Sequence, residues 1–589
     1  MPKVLLVGWD GAGWDQIHPL LDSGLLPNLS RLIDNGAMGD LAALNPPVPA
    51  LLWSSIATGR YADRHGVLDA VEPDPVTDGV RAATRASLRV RQIWDLLARE
   101  GHRSQVIGWP VTQPSPSAAA GPASCVSDQY PLGTAGSIFP PALEAVLSNL
   151  RLHPTELTGD ELQLFVPELA GVDQDKDRRL ALLALMLTEA VSVHSAATTL
   201  LESQAWDFTA VYYAVTGRAH SVFPPETDEI YKDAVQGAYR LLDLFLGRLI
   251  QLAGPDTTVM LVSDRNASER ERKVLDSRTR GGILCAAGPG IEPDELAFGA
   301  GILDIVPTIL GLFGYAPSEG MPGRPIAEIC SVPPVKTLRA EPNAETCDGE
   351  EEAVSPEIRE LEDLGYTDPI AASWREEGEA ARRRREFHLA QVLLSQGRAV
   401  EAVPIFEGLV AENPESVEWQ LHLGNAYFLA KRIPECSALC ESLVARWPDS
   451  PYAPAGRAHL AIAEGKLEEA LRHLADCRKT LGMIATLDAS IGAAYLGLGR
   501  NADAAAAYRS AIETDPALPD AHEGLGHALL AMGQSSEAAQ AALDAIRLRY
   551  ARPSTHQLLG HALQALQRPD DAAIAFRVGE ALARELPVS

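Results

Sequence analysis

The feature that most constrains this chain is a period. From Arg383 onward a small residue recurs every 34 positions, as Ala390, Gly424, Ala458, Gly492, Gly526 and Gly560. Twelve positions further on, the same spacing gives Ala402, Cys436, Ala470, Ala504, Ala538 and Ala572. Larger apolar residues follow the same beat, among them Leu393, Tyr427, Tyr495, Leu529 and Leu563, then Phe406, Leu474, Tyr508 and Phe576. Pro414, Pro448 and Pro516 close three units, and Gly482 takes that slot in a fourth. Small residues at fixed offsets let two helices approach closely, and the larger ones fill the seam between neighbouring units. The expectation is an all-α solenoid of six helix pairs over residues 383–589.

This pattern resembles the tetratricopeptide repeat. The resemblance implies a concave surface that holds a protein or peptide, so this half reads as an interaction module. Before it, residues 331–382 read as a linker. The stretch "PPVKTLRAEPNAETCDGEEEAV" is rich in proline and acid, and a short helix, "SPEIRELEDLGY", follows. The run Arg382–Arg385 reads as a solvated helix start.

Residues 1–330 alternate short apolar runs with helical patterns. "KVLLVGWD", "SQVIGWP", "DFTAVYYAV", "TTVMLVSD" and "GGILCAAG" are bounded by turn residues, as buried parallel strands are. The expected fold is an α/β domain with a mostly parallel sheet flanked by helices. Sites in such sheets lie at the C-terminal strand ends, where Asp10, His220 and Asp264 fall. The glycines Gly8, Gly11 and Gly13 run in the wrong order for a dinucleotide fingerprint. Asp10 has a plainer reading as well, the cap of the helix after the first strand.

A net charge of −29 over 589 residues argues against nucleic acid as a partner, because phosphate binding needs clustered Lys and Arg. The seven cysteines are scattered; Cys436 and Cys440 stand one helical turn apart, and all read as free thiols in a reducing compartment. The most apolar run, "LALLALMLTEAVSV" from Leu180, is broken by Glu189 and too short to span a bilayer. A cytoplasmic protein without a membrane partner is expected.

The first domain resembles the alkaline phosphatase superfamily, in its type I phosphodiesterase/nucleotide pyrophosphatase branch. The resemblance covers about residues 3–327. It rests on "GWDGAGWDQIHPLLDSGLLPNLSRLIDNGAMGDL", "LLWSSIATGRYADRHGV", Ser263–Asp264, "GPGI" and "GILDIVPTILGLFGYAPSEGMPGRPI". It implies two divalent metals, zinc by donor type, that clamp a phosphate or sulfate ester while a Thr or Ser attacks. Carried over residue by residue, three of seven functional positions survive here: Asp10, His220 and Asp264. The nucleophile slot, nine residues before Thr58, holds Pro49. Thr216 stands where an Asp is implied, and Arg265 and Arg278 stand where histidines are implied. Ser54 and Ser55 lie in the following helix and read as hydroxyls bonding backbone amides rather than as substitute nucleophiles.

One or two protein ligands do not hold zinc tightly. The residues therefore point to a degenerate, inactive hydrolase-like domain, a pseudoenzyme without a metal cofactor, acting as scaffold or binding protein beside the repeats. The alternative is an active metal-dependent phosphoester or sulfoester hydrolase with an atypical site. Without metals, Asp10 and Asp264 need another counter-charge, and Arg265 or Arg278 is expected to supply it. The other reading of these arginines is a charged surface loop. Residues 265–280 carry six basic and three acidic side chains, which leaves open a pocket that binds an anion without cleaving it.

Overall fold

The computed structural model describes residues 2–74, 79–114, 123–174, 176–224, 229–267, 281–330, 335–339, 378–447, 453–481, 484–516, 518–548 and 552–585. They fall into two compact units, the second starting at Glu386 apart from a short piece at Phe298–Ala300. Most of the expected linker, including "SPEIRELEDLGY", lies outside the described residues, as does Arg278.

The first unit is built round strand β1 (Lys3–Trp9), whose residues Val4–Trp9 are all buried. A strand covered on both faces needs an unbroken apolar run, which is why "VLLVGW" does not alternate. The other strands of its sheet are β2 (Gly36–Ala42), β3 (Ser104–Ile107), β4 (Ser124–Val126), β5 (Ile138–Phe139), β6 (Phe208–Tyr213), β7 (Thr257–Val262), β8 (Gly282–Ala287) and β9 (Glu295–Leu296), and Val71–Pro73 pairs with Val80–Ala82 in a separate small sheet. Their order across the sheet is β9-β2-β8-β7-β1-β6-β3-β4-β5, with the Ala300–Gly301 strand also paired to β2. β1 pairs in parallel with β6 and β7, whereas β8 runs antiparallel to both β7 and β2. The sheet is thus mostly parallel and flanked by helices.

Six helices of this unit position the site or pack the core behind it: α1 (Trp14–Asp22), α2 (Pro27–Asp34), α3 (Pro49–Thr58), α4 (Arg179–Ser203), α5 (Val215–Val222) and α6 (Ala234–Ala253). α3 starts because Val48 is extended and Pro49 takes the first helical position, where a missing N–H costs nothing. It ends at Gly59, whose φ of 65° lets its N–H cap the Ser55 carbonyl at 2.8 Å. α4 corrects a sequence expectation. At 25 residues it is long and apolar enough to cross a membrane by length and composition, but it packs mostly buried into the core. Arg384 and Arg385, the last residues of this unit, form ion pairs with Asp69 and Glu72, so the arginine run is not simply solvated.

From Glu386 onward the second unit is helical. The helix Gly378–Ser395 runs across that boundary in sequence, and from Ala399–Glu412 to Pro569–Glu585 each helix packs on its neighbours in the chain. The 34-residue period places Ala402, Ala504, Ala538 and Ala572 at the buried helix contacts, and Phe406, Leu474 and Tyr508 in the seams.

Candidate functional site

Because β1 lies between β6 and β7, the residues after these three strands converge at one end of the sheet. Asp10 follows β1, Asp264 follows β7, and α5, with Thr216 and His220, follows β6. This is the strand end at which α/β sheets place their sites.

The Asp10 carboxylate is 5 % exposed and Asp264 is fully buried. Both are held by one cation: Arg265 Nη1 lies 2.5 Å from Asp264 Oδ2 and 3.2 Å from Asp10 Oδ1. The guanidinium bridges them through a single nitrogen rather than as a two-pronged pair. Asp10 Oδ1 also accepts from Trp53 Nε1 at 2.9 Å, and Asp264 Oδ1 accepts from the Gly11 backbone N–H at 3.0 Å. Gly11 adopts a left-handed φ of 62°, which aims that N–H at the carboxylate. Asp10 does not cap α1, whose cap residue is Gly13, so its plainer reading falls.

Burial raises the Asp264 carboxyl to about 7, opposed by Arg265 and reinforced by the Asp10 charge. For Arg265 burial works against the cation, but the two carboxylates outweigh it and hold the guanidinium charged. Tyr212 beside them is raised well above its ordinary value by burial and by the same two carboxylates.

The remaining positions serve other bonds. Pro49 is the first residue of α3, one turn before Trp53, and offers neither hydroxyl nor ligand atom. Thr216 Oγ1 donates to the Asp10 carbonyl at 2.6 Å, so its hydroxyl ties α5 to β1 instead of ligating. Its neighbour Gly217 is obligatory: a Cβ there would lie 1.9 Å from Asp10 Oδ2. His220 Nε2 bonds Tyr239 Oη at 3.2 Å, while Nδ1 is buried without a hydrogen-bond partner among the described residues. Burial lowers this imidazole to about 4, so it is neutral at physiological pH.

Ser54 and Ser55 do not bond backbone amides as the sequence suggested. Both are fully buried inside α3; Ser55 Oγ lies 3.0 Å from His65 Nε2 and Ser54 Oγ has no partner among the described residues. Val67 N–H donates to His65 Nδ1 at 3.2 Å, so the proton sits on Nε2 and points at Ser55. This pair locks the His-Gly loop to α3 within the protein interior.

Sequence reasoning missed two members of the site, Trp53 and Tyr239. Trp53 stood inside the motif that carried the resemblance, but nothing in its spacing announced a bond to Asp10. Tyr239 comes from α6, far along the chain, and only folding brings it to His220.

The donor set does not fit two divalent metals. Asp10 and Asp264 already carry a cation between them, His220 faces a phenol, and Pro49 and Thr216 contribute no ligand. Among the described residues no group of three or more His, Cys, Asp or Glu side chains is placed to hold an ion.

Comparison with known proteins agrees with this architecture. Residues 4–275 match the family model of type I phosphodiesterase/nucleotide pyrophosphatase, and residues 393–460 and 492–533 match tetratricopeptide repeat models. No curated protein matches the chain. Among solved structures, a thermophilic tetratricopeptide protein of Thermus thermophilus is 20% identical over 34% of this chain and 99% of its own, with a TM-score of 0.27. Phosphonoacetate hydrolase of Sinorhizobium meliloti 1021, solved with phosphonoformate, is 16% identical over 45% of this chain and 56% of its own, with a TM-score of 0.32. The chain thus joins a domain of the type I phosphodiesterase/nucleotide pyrophosphatase family to a run of tetratricopeptide repeats.

Proposed function

We propose that the first domain is a hydrolase fold that no longer runs the two-metal reaction of its family, and that the protein acts as a scaffold whose repeats recruit a protein or peptide. One observation carries this reading: the Arg265 guanidinium lies between the two carboxylates that would otherwise be metal ligands. A buried carboxylate pair demands positive charge, and a guanidinium supplies it without offering a reactive water or an open coordination position. The absence of a hydroxyl at Pro49 removes the covalent route independently.

Recognition belongs to the repeats in this reading. An anion entering the first domain meets a guanidinium already committed to two carboxylates, so anion capture there is the weaker assignment. A cytoplasmic setting goes with the free thiols at Cys125, Cys285, Cys330, Cys436, Cys440 and Cys477.

The test is metal analysis of the purified chain, with assays against generic aryl phosphate and sulfate esters. We expect far less than one zinc per chain and no turnover above the uncatalysed rate. Stoichiometric zinc, with turnover that disappears in His220→Ala, would establish the active-hydrolase alternative instead.

A further inference from the structure

The second repeat departs from its siblings at two buried slots. Where the other units carry Ala402, Ala470, Ala504, Ala538 and Ala572, this one carries Cys436. Where they carry Phe406, Leu474, Tyr508, Ala542 and Phe576, it carries Cys440. Both cysteines lie on the helix Ile433–Arg446, four residues apart and so on one face. They are 1 % and 5 % exposed.

The two thiols meet at a junction of three helices. Cys436 Sγ contacts the Gly424 carbonyl at 3.5 Å on the helix before, and Cys440 Sγ lies against Gly456 on the helix after. Gly456 leaves room beside the Cys440 sulfur, where an added Cβ would lie 3.4 Å from it. Both thiols are free.

A disulfide does not fit this geometry. Residues one helical turn apart hold their Cβ atoms roughly 5–6 Å apart, whereas a disulfide needs about 3.5–4.5 Å. A single ion between the sulfurs adds two metal–sulfur bonds of roughly 2.3 Å each, which spans the gap without unwinding the turn. Zinc would require four ligands, and among the described residues no third His, Cys, Asp or Glu joins the pair. Two thiolates alone suit a soft ion of low coordination number.

We propose that Cys436 and Cys440 form a two-thiolate site for Cu(I), buried in the second repeat. Binding replaces two S–H protons with two Cu–S bonds and releases both protons to solvent, with no change of oxidation state. The resulting anionic centre lies in the first turn of its helix at Cys436, where the helix dipole favours negative charge. The Cys440 thiol hydrogen-bonds Cys436, so the two sulfurs already face each other.

The experiment titrates the reduced full-length chain with Cu(I) against bicinchoninate, without oxygen. The variants Cys436→Ala and Cys440→Leu, singly and together, place the residues that sibling repeats carry in those slots, and circular dichroism checks that their helix content is unchanged. We expect the wild type to hold one more equivalent of Cu(I) against the competitor than any of the three variants. Equal retention by the double variant and the wild type overturns the site, as does a wild type that yields all its Cu(I) to bicinchoninate. If the double variant misfolds, the single Cys436→Ala variant decides the question by the same one-equivalent difference.

Discussion

A single side chain sets the chemistry of the candidate site. With Arg265 removed, Asp10 and Asp264 would face each other in the interior, held among the described residues by Trp53 and one backbone N–H. Breaking a buried pair costs about 3–5 kcal/mol, chiefly through the charge left behind. Arg265→Gln should therefore destabilise the first unit by about 3 kcal/mol, and adding Asp264→Asn should restore part of that loss. Urea unfolding of the two variants measures the difference; a double variant no more stable than Arg265→Gln would show that the arginine acts through packing instead. The need for a counter-charge was legible in the sequence, since an Asp remained at each of two ligand positions while an adjacent His had become Arg. The bridging through one nitrogen was not legible, because it depends on the turn after β7 and on Gly11 approaching from β1.

At the scale of elements, one seam of the solenoid is set by a ring between two glycines. Tyr508 packs with Gly492 on one side and Gly524 on the other, where added Cβ atoms would lie 2.9 Å and 2.2 Å from its ring. The ring cannot swing away from one without meeting the other. Gly524→Ala should cost about 2 kcal/mol by overpacking, read as a lowered denaturation midpoint for the helical unit with its helix content intact. A midpoint equal to the wild type would mean the seam is looser than these distances imply. The helix pairs were readable from the 34-residue period because each small residue has a fixed partner one unit on. In the first unit the apolar runs located the five central strands, but β2, β4, β5 and β9 passed unseen. Their residues, such as "GAMGDLA", are too mixed in character to carry a period.

Across the whole molecule the two units answer acid through different groups. In the helical unit His422 stacks on Phe406 and meets Phe387 edge-on, and burial lowers its imidazole from 6.5 to about 4. A depressed histidine adds stability that is complete above 6.5 and is lost as pH falls toward its folded value. At pH 5.5 that loss is about 1 kcal/mol. In the first unit, burial lowers His65 to about 3 and both His194 and His220 to about 4, which gives the same sign. Asp264, raised to about 7, has the opposite sign: its favourable contribution is present at low pH and lost as pH rises through that value. Calorimetry at about pH 7.5 and about pH 5.5 should show both units weakening, with Asp264 opposing part of the loss in the first, and His422→Leu should reduce the helical unit's shift, leaving the part carried by His527, which burial also lowers. An unaltered shift in that variant would place the titrating group elsewhere.

The bridge at Arg265 has a consequence in terms of supply. A bound metal is in exchange with free ions, so its occupancy, and any stability it lends, follows the ion's concentration. A guanidinium fixed to the backbone has no free pool and cannot be diluted, competed away or sequestered. Excess EDTA should therefore leave the melting temperature of the first unit where it was, and a fall of several degrees would reveal an ion that the arginine has not replaced. The charge that the carboxylates require is made once, when the chain is synthesised, and stays for the life of the protein.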